Sequence, residues 1–115
     1  MSEKNQNQKP ILHLNVKLKW FDMIASGEKT EEYRIIKPSW NRIFSCYIKI
    51  KGKFYHPTDV IICFSNGYSK NRKQVLVECN GLYVREGRVD WGAIPGEEHF
   101  VLKLGKVINK EATIN

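Results

Sequence analysis

Gly27-Glu28-Lys29-Thr30-Glu31-Glu32-Tyr33-Arg34 is the stretch on which the reading of this chain turns. Before it, Trp20, Phe21, Met23 and Ile24 fall at helical spacing, and Gly27 is placed to stop that short helix in a left-handed cap. From Thr30 to Ile36 the pattern is that of a strand. Alternation puts Thr30, Glu32, Arg34 and Ile36 on one face and Glu31, Tyr33 and Ile35 on the other. A carboxylate and a guanidinium therefore share a face two residues apart, with the Lys29 ammonium at the strand's entrance. Two readings are open. In one, the three charges make a polar pocket for an anion or a nucleobase, Arg34 offering a planar fork and Lys29 a point charge. In the other, Glu32 and Arg34 pair with each other or with neighbouring strands and hold the mouth of the fold together.

Working outward, Leu12, Leu14, Val16 and Leu18 alternate with His13, Asn15 and Lys17, as in a half-buried strand. Downstream, Pro38 breaks the second strand. Ser39 is expected to cap a short helix carrying Trp40, Ile43 and Phe44 on one side. Cys46 to Ile50 and Phe54 to Tyr55 read as a hairpin around Lys51-Gly52-Lys53. Val60 to Phe64 is a continuous apolar run, hence a buried strand, and Asn66-Gly67 after it is a turn signal. Val75 to Val84 is the longest strand candidate, with Gly81 as a bulge or kink. Residues 85–97 read as a loop and His99 to Leu104 as the last strand, with Val107 and Ile108 available to extend it.

Six or seven strands with two short helices near the front are too few helices, placed too early, for βαβ repeats. The expected class is α+β, mainly β: a small barrel or curled sheet with helices closing one end. One domain is expected over residues 10–110. A disordered polar tail (1–9) precedes it and a short C-terminal tail (111–115) follows.

The 115 residues suit a single domain, and 42% hydrophobic content is enough for one core. No apolar run approaches the roughly 20 residues of a membrane helix. The polar N-terminus lacks the apolar stretch of a signal peptide, so a cytoplasmic protein is expected. Three cysteines, Cys46, Cys63 and Cys79, are an odd number without a CxxC pair; they argue against a disulfide framework or zinc ribbon and are expected to pack as small hydrophobes. His13, His56 and His99 show no ligand spacing, so no metal is expected, and no cofactor fingerprint, P-loop or GxSxG elbow is present.

The formal charge is +7, and its distribution is uneven. The whole excess lies in residues 35–73, where Lys37, Arg42, Lys49, Lys51, Lys53, Lys70, Arg72 and Lys73 face Asp59 alone. The same third holds seven of the thirteen aromatics: Trp40, Phe44, Tyr47, Phe54, Tyr55, Phe64 and Tyr68. Cations track phosphates and aromatic faces stack bases, a mixture that suits single-stranded nucleic acid. The competing account is equally physical: lysines guard an edge strand against aggregation, and aromatics fill a core. Tyr68, Lys70 and Arg72 lie on a basic loop that either clamps a phosphate or is a solvated hairpin tip. Trp91, among Gly87, Gly92 and Gly96, either stacks a base or plugs the bottom of a barrel.

Read as G-x-K-x-x-E-x-R at a helix-to-strand junction, the opening stretch resembles the signature of the ASCH domain, a relative of the PUA domain. The resemblance runs from about Ile11 to Ile108. It includes Leu12-His13-Leu14 leading into Trp20-Phe21-Asp22-Met23-Ile24, then Lys37-Pro38-Ser39-Trp40, Phe64-Ser65-Asn66-Gly67-Tyr68, Val77-Glu78-Cys79, Trp91-Gly92-Ala93 and a closing strand from Phe100 to Ile108. It is closest in kind to the compact ASCH proteins of bacterial and phage genomes. The resemblance implies a PUA-like small β-barrel that binds RNA or a nucleotide-like ligand. Gly27, Lys29, Glu32 and Arg34 would form the pocket, with Tyr68, Lys70, Arg72 and Trp91 contributing from loops. Some relatives are enzymes: amidohydrolases acting on acylated cytidines, and a nuclease. In the amidohydrolase type the motif Lys works with a Thr three positions on. Here Lys29 matches the Lys, but Glu32 stands where the Thr would be, which favours binding over that catalysis. A hydrolase acting on a modified nucleoside or on RNA through Lys29 is the alternative. A module meeting an acidic protein partner is a third.

Overall fold

The computed structural model describes residues 8–109. Most of the expected N-terminal tail (1–7) and all of the C-terminal one (111–115), with residue 110, lie outside the described residues. The chain is mainly β with few helices, and its main sheet curls into a half-barrel. Strand β1 (Ile11–Asn15) leads into helix α1 (Leu18–Ala25), then strand β2 (Glu31–Ile35) and the one-turn helix α2 (Pro38–Asn41). A small hairpin follows, β3 (Ile48–Ile50) and β4 (Lys53–Tyr55). A 3-10 turn (Pro57–Asp59) precedes β5 (Ile61–Asn66), and the long β6 (Lys73–Glu86) follows. A second 3-10 turn (Val89–Trp91) separates β6 from β7 (Glu98–Asn109).

The five long strands form one sheet in the order β1-β5-β6-β7-β2, and β3 forms a separate two-stranded sheet with β4, with one further bridge from Ile48 to Phe44. β1 runs parallel to β5, and the remaining neighbours are antiparallel. β6 shifts register between Leu76 and Gly81, which places Gly81 at the expected irregularity and helps the sheet curl. The concave face packs Leu12, Leu14, Ile62, Phe64, Val75, Val77, Leu102 and Leu104 against Phe21 and Ile24 of α1. Phe44 and Ile48 close the open side, with Phe44 at 5.4 Å from the Phe100 ring and 5.8 Å from the Trp40 ring. β5 is buried along most of its length, as its unbroken apolar run requires.

Several local expectations are corrected. No backbone pairing joins β1 to β2 among the described residues, so of the two expected forms, barrel or curled sheet, the sheet takes the curled one, an open half-barrel. Ser39 does not cap α2. The helix starts two residues earlier, with Lys37 as its N-cap and Pro38 as its first residue, because the fixed φ of proline suits that position and its missing N–H costs nothing there. Cys46 and Tyr47 lie outside β3, and Cys46 is exposed rather than packed. The expected loop at 85–97 is shorter, since the ladder continues through Arg85–His99 and Glu86–Glu98. As Val107 and Ile108 allowed, β7 does run on past Leu104, to Asn109.

Candidate functional site

The site begins at the end of α1. Gly27 adopts φ +85°, and its N–H donates to the Ile24 carbonyl at 3.0 Å. The Lys29 N–H then reaches back to the Met23 carbonyl at 2.9 Å, which reverses the chain into β2. Thr30 accepts from the Leu104 N–H at 2.9 Å, so β2 enters the sheet in a fixed register. That register sends Glu32 and Arg34 to the concave face beside Leu102 and Phe100.

Lys29 is only 2% exposed. Its Nζ donates to the Glu31 carbonyl at 2.6 Å and the Trp91 carbonyl at 2.9 Å, and lies 3.3 Å from Glu32 Oε1. These partners match the three N–H groups of an ammonium. The Tyr33 and Trp20 rings lie 4.8 and 5.3 Å from the charge. Burial lowers the Lys29 pKa from its ordinary value, while the neighbouring Glu32 carboxylate opposes that shift.

Glu32 stands between two cations. Its Oε1 faces Lys29, and its Oε2 accepts from Arg34 Nε at 3.1 Å and Nη2 at 2.8 Å. Arg34 Nη2 also donates to the Asn15 carbonyl at 3.0 Å. Arg34 therefore bridges the gap between the two edge strands, β2 and β1, which the backbone leaves open. Its guanidinium lies 4.8 Å from the Trp40 ring, and its Nη1 has no hydrogen-bond partner among the described residues. Two positive charges against one carboxylate leave the cluster net cationic.

A cavity of about 630 Å³ opens at this gap. Arg34, Trp40, Lys17, Ser65, Tyr68 and Arg72 are among the residues that line it, and no Asp or Glu does. The 67–72 loop forms one wall. Asn15 ties that loop to β1, donating from Nδ2 to the Gly67 carbonyl at 2.6 Å, and Asn66 Nδ2 donates to the Val16 carbonyl at 3.1 Å. Tyr68 is 87% exposed on this wall.

Of the residues expected at a site, Arg34, Tyr68 and Arg72 line one cavity. Lys29 and Glu32 stand behind Arg34 in the interior. Lys70 is exposed on the same loop but does not line the cavity, and Gly27 shapes the turn without facing it. Trp91 is buried. Its carbonyl holds Lys29 and its ring is covered by the Arg88 guanidinium at 3.9 Å, away from the cavity. Sequence reasoning missed Trp40, Lys17 and Ser65 as lining residues. The alternation of β1 had put Lys17 with His13 and Asn15 on the polar face, but nothing local said that this face borders a gap.

On the outer face of β2, Glu31 accepts from Arg85 Nη2 at 2.5 Å and Nη1 at 3.3 Å, and from the Tyr33 hydroxyl at 2.7 Å. Burial alone raises the Glu31 pKa, but the bonds from Arg85 and Tyr33 outweigh it and hold the carboxyl below its usual range. Burial, with the bond to Glu31, pushes the Tyr33 phenol up to about 12. Burial likewise raises the thiols of Cys63 and Cys79. The four ion pairs among the described residues join Glu32, Glu31 and Asp90 to Lys29, Arg34, Arg85 and Arg88. None of the eight cations of residues 35–73 takes part in one. Of the seven aromatics there, Tyr47, Phe54 and Tyr68 are exposed, so the core does not account for them all.

Among the described residues no group of His, Cys, Asp and Glu is arranged to hold a metal ion, and no helix is long and apolar enough to cross a membrane. Comparison with known proteins assigns no family: no family model matches the chain, and no curated protein or solved structure matches it either.

Proposed function

We propose that this protein binds single-stranded RNA or a nucleotide-like ligand in the cavity between β1 and β2, as a PUA-like domain of the ASCH type. One observation carries the reading. The cavity combines Arg34, whose Nη1 is unengaged, with Arg72, Lys17 and the rings of Trp40 and Tyr68, and no carboxylate faces it. A guanidinium held in place by Glu32 and Asn15 meets a phosphate or a base carbonyl without losing further side-chain entropy. Exposed Tyr68 offers a base-stacking face. The unpaired cations of the middle third supply the field that draws a polyanion in.

Binding is favoured over hydrolysis by the state of Lys29. Its three N–H groups are engaged and its side chain is 1% exposed, so it has no open path to a substrate at Arg34. Lys29 acts instead as a positioning residue: it fixes Glu32, and Glu32 fixes Arg34.

The test is fluorescence anisotropy of a short labelled single-stranded RNA against salt. With roughly four phosphates engaged, log K should fall with log salt at a slope of about −3. Tyr68→Ala, a change at an exposed position, should weaken binding by about 1–3 kcal/mol, and Arg72→Ala should make the slope shallower by about 0.7. A flat salt response, or no binding at low salt, defeats the reading. Displacement of the RNA by an acidic peptide with equal effect at Tyr68 would favour a protein partner instead.

A further inference from the structure

A second cavity of about 500 Å³ lies on the other side of His13, lined by Pro10, Ile11 and His13 of the β1 end and by Ile50, Lys51, Lys53 and Tyr55 of the hairpin. His13 lines both cavities, so the two meet along the open edge of β1. We propose that a nucleic-acid strand seated at Arg34 continues along this edge, and that Lys51, Lys53 and Tyr55 form a subsite for its neighbouring nucleotides. The proposal rests on the functional reading above and adds the path of the contact surface.

Three observations converge on it. The first is the state of the edge. In the parallel pairing with β5, the Val16 N–H donates to Ser65 and the Pro10 carbonyl accepts from Ile61. Even-numbered residues of β1 therefore turn their backbone groups toward β5, and Ile11, His13 and Asn15 turn theirs away. Arg34 occupies the Asn15 carbonyl. The N–H and C=O groups of Ile11 and His13 have no partner among the described residues. Two such residues are too short an edge for a stable added peptide strand. They are enough to meet the donor and acceptor edges of unstacked bases.

The second observation is charge. Lys51 and Lys53 lie at one end of the groove and Lys17, Arg34 and Arg72 at the other, with no Asp or Glu in either lining. From Ile11 to Asn15 the strand covers about 13 Å. An unstacked strand spaces its phosphates more widely than the 3.4 Å or so of a stacked one, so the groove spans at most about four nucleotides.

The third is conformation. Lys51 is the only described non-glycine residue with positive φ, at +50°, followed by Gly52 at +81°. The two make the tight turn of the hairpin, in which the first position favours Asn, Asp or Gly. A lysine held there against its preference points to a use for its charge beyond the turn itself.

The experiment compares wild type with the double variant Lys51→Asn/Lys53→Gln. Asn suits the positive φ, both side chains are exposed, and a melting curve checks that the fold is kept. The probes are a labelled single-stranded RNA octamer and a nucleoside monophosphate. For the octamer, the variant's salt slope should be shallower by about 1.4, two phosphates at about 0.7 each. The monophosphate, seated at Arg34, should bind both proteins alike. An octamer that binds the variant with the wild-type slope, while Arg72→Ala still weakens it, overturns the track and leaves the cavity reading standing. Wild type that binds neither probe overturns both. An acidic peptide whose binding is lost in the variant while the octamer's slope is kept assigns the edge to a protein partner and overturns the track.

Discussion

Glu32→Gln is the substitution that most directly tests the cluster at the gap. Glutamine keeps the shape of the side chain but carries no charge. Its amide group must turn its NH2 toward one of two cations, either Lys29 at 3.3 Å or the Arg34 fork at 2.8–3.1 Å. The Lys29 and Glu32 side chains are 1% and 8% exposed, so little water is present to compensate. Removing one partner of a buried ion pair costs about 3–5 kcal/mol, because the remaining charge stays buried and unpaired. At about 4 °C per kcal/mol for a domain of this size, the melting temperature should fall by roughly 12–20 °C.

Lys29→Met in the same background removes the stranded ammonium. The double variant should therefore be more stable than Glu32→Gln alone, a sign opposite to additivity. Alkaline pH should act in the same direction. Burial lowers the Lys29 pKa in the folded state, so between that value and the ordinary 10.5 the unfolded chain binds more protons, and stability attributable to Lys29 rises with pH. The deficit of Glu32→Gln should narrow as pH rises toward 10.5. Thermal and urea melts followed by circular dichroism read all three effects. A loss below about 1 kcal/mol for Glu32→Gln, a value typical of exposed pairs, would refute the reasoning. So would a double variant less stable than the single one.

Gly27→Ala should cost about 1–2 kcal/mol in urea unfolding, because φ is +85° while nothing within 4 Å obstructs a Cβ; the cost is conformational, and Asn should cost less. Phe44→Ala empties the space between the Trp40 and Phe100 rings at a site 1% exposed, and should lose about 3–5 kcal/mol by the same assay. For Tyr33, the folded phenol stands at about 12 against an ordinary 10. Its contribution is complete below pH 10 and is lost as pH rises from 10 through 12, because the unfolded phenol gives up its proton first. Tyr33→Phe should flatten the alkaline fall in denaturant midpoint, and a spectrophotometric titration should show one late-titrating phenol fewer.

Much of this protein is legible locally. The alternation that begins at Leu12, the apolar run before Asn66 and the helical spacing of Trp20 to Ile24 determine their elements, because burial of one face demands a matching period; the alternation does not mark where β1 ends, since Leu18, expected on its buried face, opens α1 and is exposed. Gly27 and the alternation of β2 determine that Glu32 and Arg34 share a face. The charge of residues 35–73 is likewise a property of composition, and it stays unpaired in the fold.

Tertiary structure decided the rest. That β1 and β2 are the two edges of the sheet follows from pairings between residues far apart in the chain, and no local period encodes strand order. Only that order brings Arg34 to the Asn15 carbonyl and opens a cavity between them. The same holds for Trp91. Its place among glycines left open a base-stacking loop ring or a buried plug; folding buries it and sets its carbonyl against Lys29, 62 residues away. A lysine confined in that way needs every N–H engaged, since a buried ammonium without partners is too costly to keep. The sequence by itself therefore determined which charges the cluster contains. The packing of distant strands determined which of them is locked inside and which one faces the open gap.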